Sequence, residues 1–138
     1  MNNDYYLLDT CTISDFVRGH PNVLERINNI SPHFLVVSSI TIMEIEYGLK
    51  LNPERAKKLE TVINDFLGNT NILAFEPEDA RIAADIRATL RKQGTPIGSY
   101  DVLLAGCALH RNFIFVTSNL KEFQRVSRLK LENWRDDI

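Results

Sequence analysis

The chain has 138 residues, 44% hydrophobic and 25% charged, with 16 Lys+Arg against 18 Asp+Glu and a net charge of −2. That length predicts a single domain over 1–138 with a core that needs no disulfide or metal staple. The composition excludes disordered and collagen-like chains, and the slight acid excess counts against a protein that binds nucleic acid through a basic face alone.

Tyr5-Tyr6-Leu7-Leu8 is a short apolar run ending in Asp9 and reads as a buried strand. Thr10 to Arg18 suits a first helix stopped by Gly19 and Pro21, and Asn22 to Ile30 a second. Phe34 to Ser38 is a β-rich run, followed by a helix opened by Thr41 and reaching Leu51. Pro53 begins the next helix, where Leu59, Val62, Ile63, Phe66 and Leu67 form an amphipathic stripe. Ile72 to Phe75 is a third strand, Glu78 to Gln93 a helix closed by Gly94, and Thr95 to Ser99 a Pro/Gly loop. Asp101 to Arg111 is a helix apolar on nearly every side, which predicts a central, buried position. Phe113 to Thr117 is the clearest strand, Asn119 to Val126 a short helix and Leu129 to Leu131 an edge strand. Strands alternating with helices predict a mostly parallel α/β sheet covered on both faces.

The two cysteines, Cys11 and Cys107, are far apart and form no metal or disulfide motif, so they read as reduced, packed thiols. The polar start Met1-Asn2-Asn3-Asp4 predicts no signal peptide, and no apolar run is long enough to span a bilayer. A cytoplasmic protein is expected. His20, His33 and His110 show no ligand spacing and read as surface or loop residues.

In open α/β sheets, ligands bind beyond the carboxyl ends of the strands. Asp9 ends the first strand, Glu44 falls in the first turn of the helix after the second, and Asp101 starts the buried helix. Each acid alone also reads as a cap. Asp9 suits an N-cap, Thr41-Ile42-Met43-Glu44 fits a capping box, and Asp101 favours its helix dipole. Three acids at one rim are harder to explain as unrelated caps. Converging carboxylates repel unless protonated or joined by a cation, and such hard oxygen donors suit Mg2+ or Mn2+.

These residues carry a family resemblance. The chain resembles PIN-domain ribonucleases, specifically VapC-type toxins of bacterial toxin–antitoxin pairs. The carriers are Leu7 to Cys11, Ser39 to Glu44 with Tyr47-Gly48, Gly94 to Asp101, Val116 to Asn119 with Phe123, and Leu129 to Trp134. The resemblance implies a three-layer α/β/α sandwich around four to five strands. It further implies a Mg2+-dependent (or Mn2+-dependent) endoribonuclease with Asp9, Glu44 and Asp101 as catalytic and metal-binding acids. It implies an RNA substrate, a homodimer and inhibition by a cognate VapB-type antitoxin.

One departure stands out. Many PIN domains carry a fourth acid after the fourth strand, where this chain has Ser118-Asn119. Glu122 is a substitute one turn later, although Asn119-Leu120-Lys121-Glu122 also resembles a capping box, which the sequence slightly favours. Asn119, Glu122, Thr10 and Ser118 are therefore auxiliary candidates, with Thr117 a further hydroxyl. Arg55, Lys57 and Lys58 form one basic patch and Arg125, Arg128 and Lys130 another, each a candidate for RNA phosphates. Tyr47, Tyr100 and Trp134 read as core or interface packing before base stacking. The helices over Glu44 to Leu51 and Glu54 to Leu67 offer a groove for an antitoxin helix. Asp9-Thr10-Cys11 lacks the Asp-x-Asp of aspartyl-phosphate phosphatases of the haloacid-dehalogenase type, which removes that class. The remaining alternative is a catalytically weak PIN-like module that only binds RNA or protein.

Overall fold

A computed structural model describes residues 4–136. The strands are β1 (Tyr6–Leu8), β2 (Leu35–Ser38), β3 (Asn71–Leu73), β4 (Ile114–Val116) and β5 (Lys130–Glu132). The helices are α1 (Thr10–Arg18), α2 (Pro21–Asn28), α3 (Ser39–Leu51), α4 (Pro53–Gly68), α5 (Pro77–Lys92), α6 (Ser99–Arg111) and α7 (Leu120–Phe123). A 3-10 turn at Pro32–Phe34, unforeseen in the sequence, leads into β2.

The sheet order is β3-β2-β1-β4-β5 and every pairing is parallel. The chain winds from β1 outward through β2 and β3, then crosses back to add β4 and β5 on the other side of β1. The order therefore reverses between β1 and β4, which makes their carboxyl ends the natural place for a ligand crevice.

Strand pleating divides the core in two. Tyr6, Leu8, Leu35, Val37, Ile114 and Val116 point to one face, where they meet Ile13, Val23, Ile27, Ile45, Ile63 and Phe66 of α1 to α4. Leu7, Val36 and Phe115 point to the other, against Ile86 and Leu90 of α5, Leu104 to Ala108 of α6, and Phe123. This is the expected α/β/α sandwich. Full burial of Leu7, Leu8 or Phe115 is worth about 2 kcal/mol each relative to exposure.

The predicted central helix is α6, with Val102 and Leu104 to Ala108 buried. Its close approach to α5 requires Gly106, where an added Cβ would lie 2.9 Å from the Asp79 carbonyl oxygen and 3.0 Å from the Ala83 Cβ. Asp79 is wholly buried. Its carboxylate accepts from the backbone N–H of Glu76, from both terminal nitrogens of Arg111 and from His110 Nδ1. His110 is exposed at the end of α6, as foreseen, while its Nδ1 is tied to a buried ion pair. A second carboxylate, Asp15 of α1, is held by Arg135 at 2.6 and 2.9 Å, which ties the end of the chain to the first helix.

Two smaller expectations change. Cys107 is buried as foreseen, but Cys11 is exposed rather than packed, because the first turn of α1 opens onto the rim. Trp134 is core, packed on Tyr6, whereas Tyr47 and Tyr100 are exposed. Among the described residues no helix is long and apolar enough to cross a membrane.

Candidate active site

Asp9 follows β1 directly and caps α1, with Oδ1 accepting the Thr12 backbone N–H at 2.7 Å. Thr117, the residue after β4, hydrogen-bonds the same carboxylate across the β1–β4 junction. Burial pushes the Asp9 carboxyl above its ordinary pKa, and the hydrogen bonds from Thr117 and Thr12 only partly offset that. Asp9 is therefore an N-cap, as foreseen, and at the same time a buried carboxylate at the β1–β4 end.

Glu44 differs. Ser38 caps α3, its hydroxyl accepting the Ile40 N–H at 3.1 Å, so the helix starts before Thr41. The predicted capping box from Thr41 to Glu44 does not form, and Glu44 stands in the second turn rather than the first. Its Oε1 instead accepts the Thr10 hydroxyl at 3.0 Å, which turns the half-buried carboxylate toward the β1 end.

Asp101 is the third residue of α6, which begins two residues earlier than expected. The chain passes so close that a Cβ on Gly98 would lie 2.8 Å from Asp101 Oδ2. The Asp101 carboxyl is pushed up to about 7, first by burial, then by the hydrogen bond and charge of Glu122, then by the charges of Glu44 and Asp9. Four carboxylates thus share one electrostatic neighbourhood at the rim.

Glu122 belongs to it. The capping box expected at Asn119 to Glu122 is absent, since the Asn119 side chain caps nothing. Asn119 Nδ2 donates to Glu122 Oε2 at 2.7 Å, and the Gly98 N–H donates to Oε1 at 2.8 Å. The Gly98 N–H, followed by the hydrogen bonds with Asp101 and Asn119, holds the Glu122 carboxyl below its ordinary value despite burial. Asp101 and Glu122 are thus hydrogen-bonded to each other, with the Asp101 carboxyl pushed up and the Glu122 carboxyl held down. Sequence reading missed the Gly98 amide, and the only available signal was a glycine just ahead of the Ser99 helix start.

The hydroxyl candidates differ. Thr10 and Thr117 reach acids, and Thr117 Oγ1 also accepts the Asn119 N–H at 3.0 Å. The Ser118 side chain makes no hydrogen bond among the described residues. As the side chains stand, no three His, Cys, Asp or Glu groups among the described residues close around one metal-sized point.

From Thr10 and Glu44 a groove of about 240 Å³ runs between α1, α3 and α4, with Ile13, Ile45, Leu59 and Ile63 along it and Arg18 and Arg55 at its sides. It occupies the place foreseen between the third and fourth helices. Of the first basic patch only Arg55 lines it.

Residues 6–129 match the PIN domain. The chain belongs to the PIN-domain family. Within it the relatives are VapC proteins. The tRNA(fMet)-specific endonuclease VapC of Salmonella typhimurium is 34% identical over 131 residues, which cover 94% of this chain and 97% of that protein. Ribonuclease VapC2 of Haemophilus influenzae is 38% identical over 130 residues, with the same coverage. Among solved structures, VapBC2 from Rickettsia felis bound to a promoter DNA fragment superposes with a TM-score of 0.86 at 28% identity, covering 94% of this chain and 98% of that one. DNA-bound VapBC from Salmonella typhimurium superposes at 0.84 with 35% identity and the same coverage. All four rim acids and the groove of this PIN domain lie inside the matched residues, whereas Trp134 and Arg135 lie beyond them.

Proposed function

We propose that the chain is a VapC-type toxin, a metal-dependent endoribonuclease whose reactive acids are Asp9, Glu44 and Asp101, with Glu122 as the fourth. The observation that carries this reading is the convergence at one rim of Asp9, Glu44, Asp101 and Glu122, where burial and then the neighbouring carboxylates push the Asp101 carboxyl up to about 7.

The donor chemistry fits a hard divalent cation such as Mg2+ or Mn2+: all donors are oxygens, the site is acidic, and its like charges repel until a cation joins them. When bound, such a cation supplies positive charge against the phosphoryl oxygens and lowers the pKa of an attacking water. Asp9 and Asp101 are the residues to hold it, Asp9 being preset by Thr12 and Thr117. Glu44, oriented by Thr10, accepts the proton of the attacking water while the bond from phosphorus to the leaving ribose oxygen breaks. Glu122 takes the place of the acid missing at Asn119. It accepts the Gly98 and Asn119 N–H groups and holds the 98–101 segment in register with α7.

The groove beside Thr10 and Glu44 suits an antitoxin segment with an apolar face and a basic tip, the tip reaching the acids. The neighbouring VapBC complexes support a VapB partner. Met43, Tyr47 and Leu51 form an exposed i, i+4, i+8 stripe on α3, which supports a homodimer. Transfer RNA is the substrate class to test first, because the Salmonella relative carries that specificity in its name.

The decisive experiment is RNA cleavage by the purified chain with EDTA, with Mg2+ or Mn2+ restored, and with Asp9→Asn. Chelation and the substitution are each expected to abolish cleavage. Cleavage that survives both removes the metal-dependent reading. An absence of cleavage under all conditions, with RNA still bound, favours the weak binding module.

A further inference from the structure

A further cavity, of about 280 Å³, is lined in part by the 96–99 segment and by none of the four acids. Its wall is formed by Leu90 and Val102 with Ile97 and Pro96, and its charged side by Arg87 and Arg91 of α5. These two arginines are one helical turn apart and so share a face. Both are exposed, and among the described residues neither guanidinium makes a hydrogen bond or an ion pair. The contrast with other arginines is direct: Arg26, Arg81, Arg111 and Arg135 each face a carboxylate. A third guanidinium, Arg125, donates to the Pro96 carbonyl oxygen at 3.0 Å, and its charge is felt by Glu122.

The cavity and the acid cluster share one short segment. The Gly98 N–H serves Glu122, while the flanking Ile97 and Ser99 line the cavity. We propose that this cavity is a substrate subsite: Arg87 and Arg91 take a phosphate of the RNA strand away from the scissile bond, and the apolar wall receives the attached ribose or base. This rests on the nuclease reading above and adds to it the place where the strand runs. The planar guanidinium fork suits phosphate oxygens, and two of them without carboxylate partners give a net positive spot on a chain of net charge −2. Such contacts position the strand and carry no base readout. The apolar wall distinguishes the spot from a plain solvated face.

The test uses Arg87→Gln/Arg91→Gln in the full chain. With Asp101→Asn added to both chains to stop cleavage, labelled bulk transfer RNA is followed by anisotropy across a salt series. The double variant is expected to bind at least about tenfold more weakly and to lose about one from the salt slope, for the one phosphate the two guanidinium groups share. In the cleavage-competent chain KM is expected to rise with kcat changed by less than about twofold, the signature of lost uniform binding. As a check that needs no variant, RNA should protect Arg87 and Arg91 from phenylglyoxal modification. Unchanged affinity and slope, or no protection, overturns the subsite while leaving the nuclease reading intact if the unsubstituted chain cleaves RNA. A loss confined to antitoxin binding also overturns it. An unsubstituted chain that neither binds nor cleaves RNA overturns both.

Discussion

Asp79 and Asp101 are aspartates at opposite ends of the α5–α6 pair, and the structure treats them oppositely. Asp79 is wholly buried, yet four hydrogen-bond donors, two of them on Arg111, hold its carboxyl below the ordinary range. Asp101 is only half-buried, and its carboxyl is pushed up to about 7, first by burial and then by its neighbours Glu122, Glu44 and Asp9, which offer no positive charge to offset it. Burial alone does not separate them, since it raises both. The partners decide: cations and N–H groups make a brace, and like charges make a site that gains by binding something positive.

That contrast can be broken from either end. The largest expected effect is on chemistry: Asp101→Asn should lower RNA cleavage by more than about a hundredfold while leaving the thermal midpoint near or above that of the parent chain, read by turnover and by calorimetry. Next comes Asp79→Ala. It strands Arg111 with no partner for most of its guanidinium and should cost about 3–5 kcal/mol in denaturant unfolding, with cleavage per folded molecule retained. Glu122→Gln keeps an oxygen for the Gly98 N–H but removes the charge beside Asp101. About a tenfold fall in cleavage is expected, together with a fall in the Asp101 pKa seen by carboxyl NMR.

The smallest effect is a difference in pH dependence, measured in EDTA. Because the Asp101 value is raised, the folded chain keeps a proton that the unfolded chain has released between the ordinary carboxylate range and about pH 7, so this group's contribution to stability falls as pH rises through that window. Asp79 has a lowered value. Its contribution is present above the ordinary carboxylate range and is lost as pH falls through its folded value. Urea midpoints should therefore rise for Asp101→Asn relative to the parent at about pH 8 and coincide with it at about pH 4. The Asp79→Ala deficit should instead shrink toward acid. Equal profiles for the two variants would erase the distinction drawn between brace and site.

Much of this was legible in the residues. The strands β1, β2 and β4 are short apolar runs between helix signals, and the helix behind Asp101 is apolar on nearly every side, so the layer order followed from patterning. Asp9, Glu44 and Asp101 were legible as rim acids because each follows a strand end or begins a helix. Where local rules offered a cap instead, they failed twice, at Thr41–Glu44 and at Asn119–Glu122. Ser38 captured the α3 start, and the Gly98 amide captured the Glu122 carboxylate from 24 positions away. No spacing rule of a helix start reaches that far.

The same division applies to charge. A net charge of −2 discourages binding through a basic face alone, but it says nothing about where the 18 acids and 16 bases sit. Sequence by itself determined the alternation of strands and helices, the central helix and three rim acids, because those depend on periodicity and local chemistry. Only the tertiary structure decided that Glu122 joins the acids and that Asp79 closes on Arg111. It also placed Arg87 and Arg91 beside a cavity with no partner among the described residues. Those outcomes depend on which side chains meet across the α5–α6–α7 layer, and distance in space there is set by packing rather than by position in the chain.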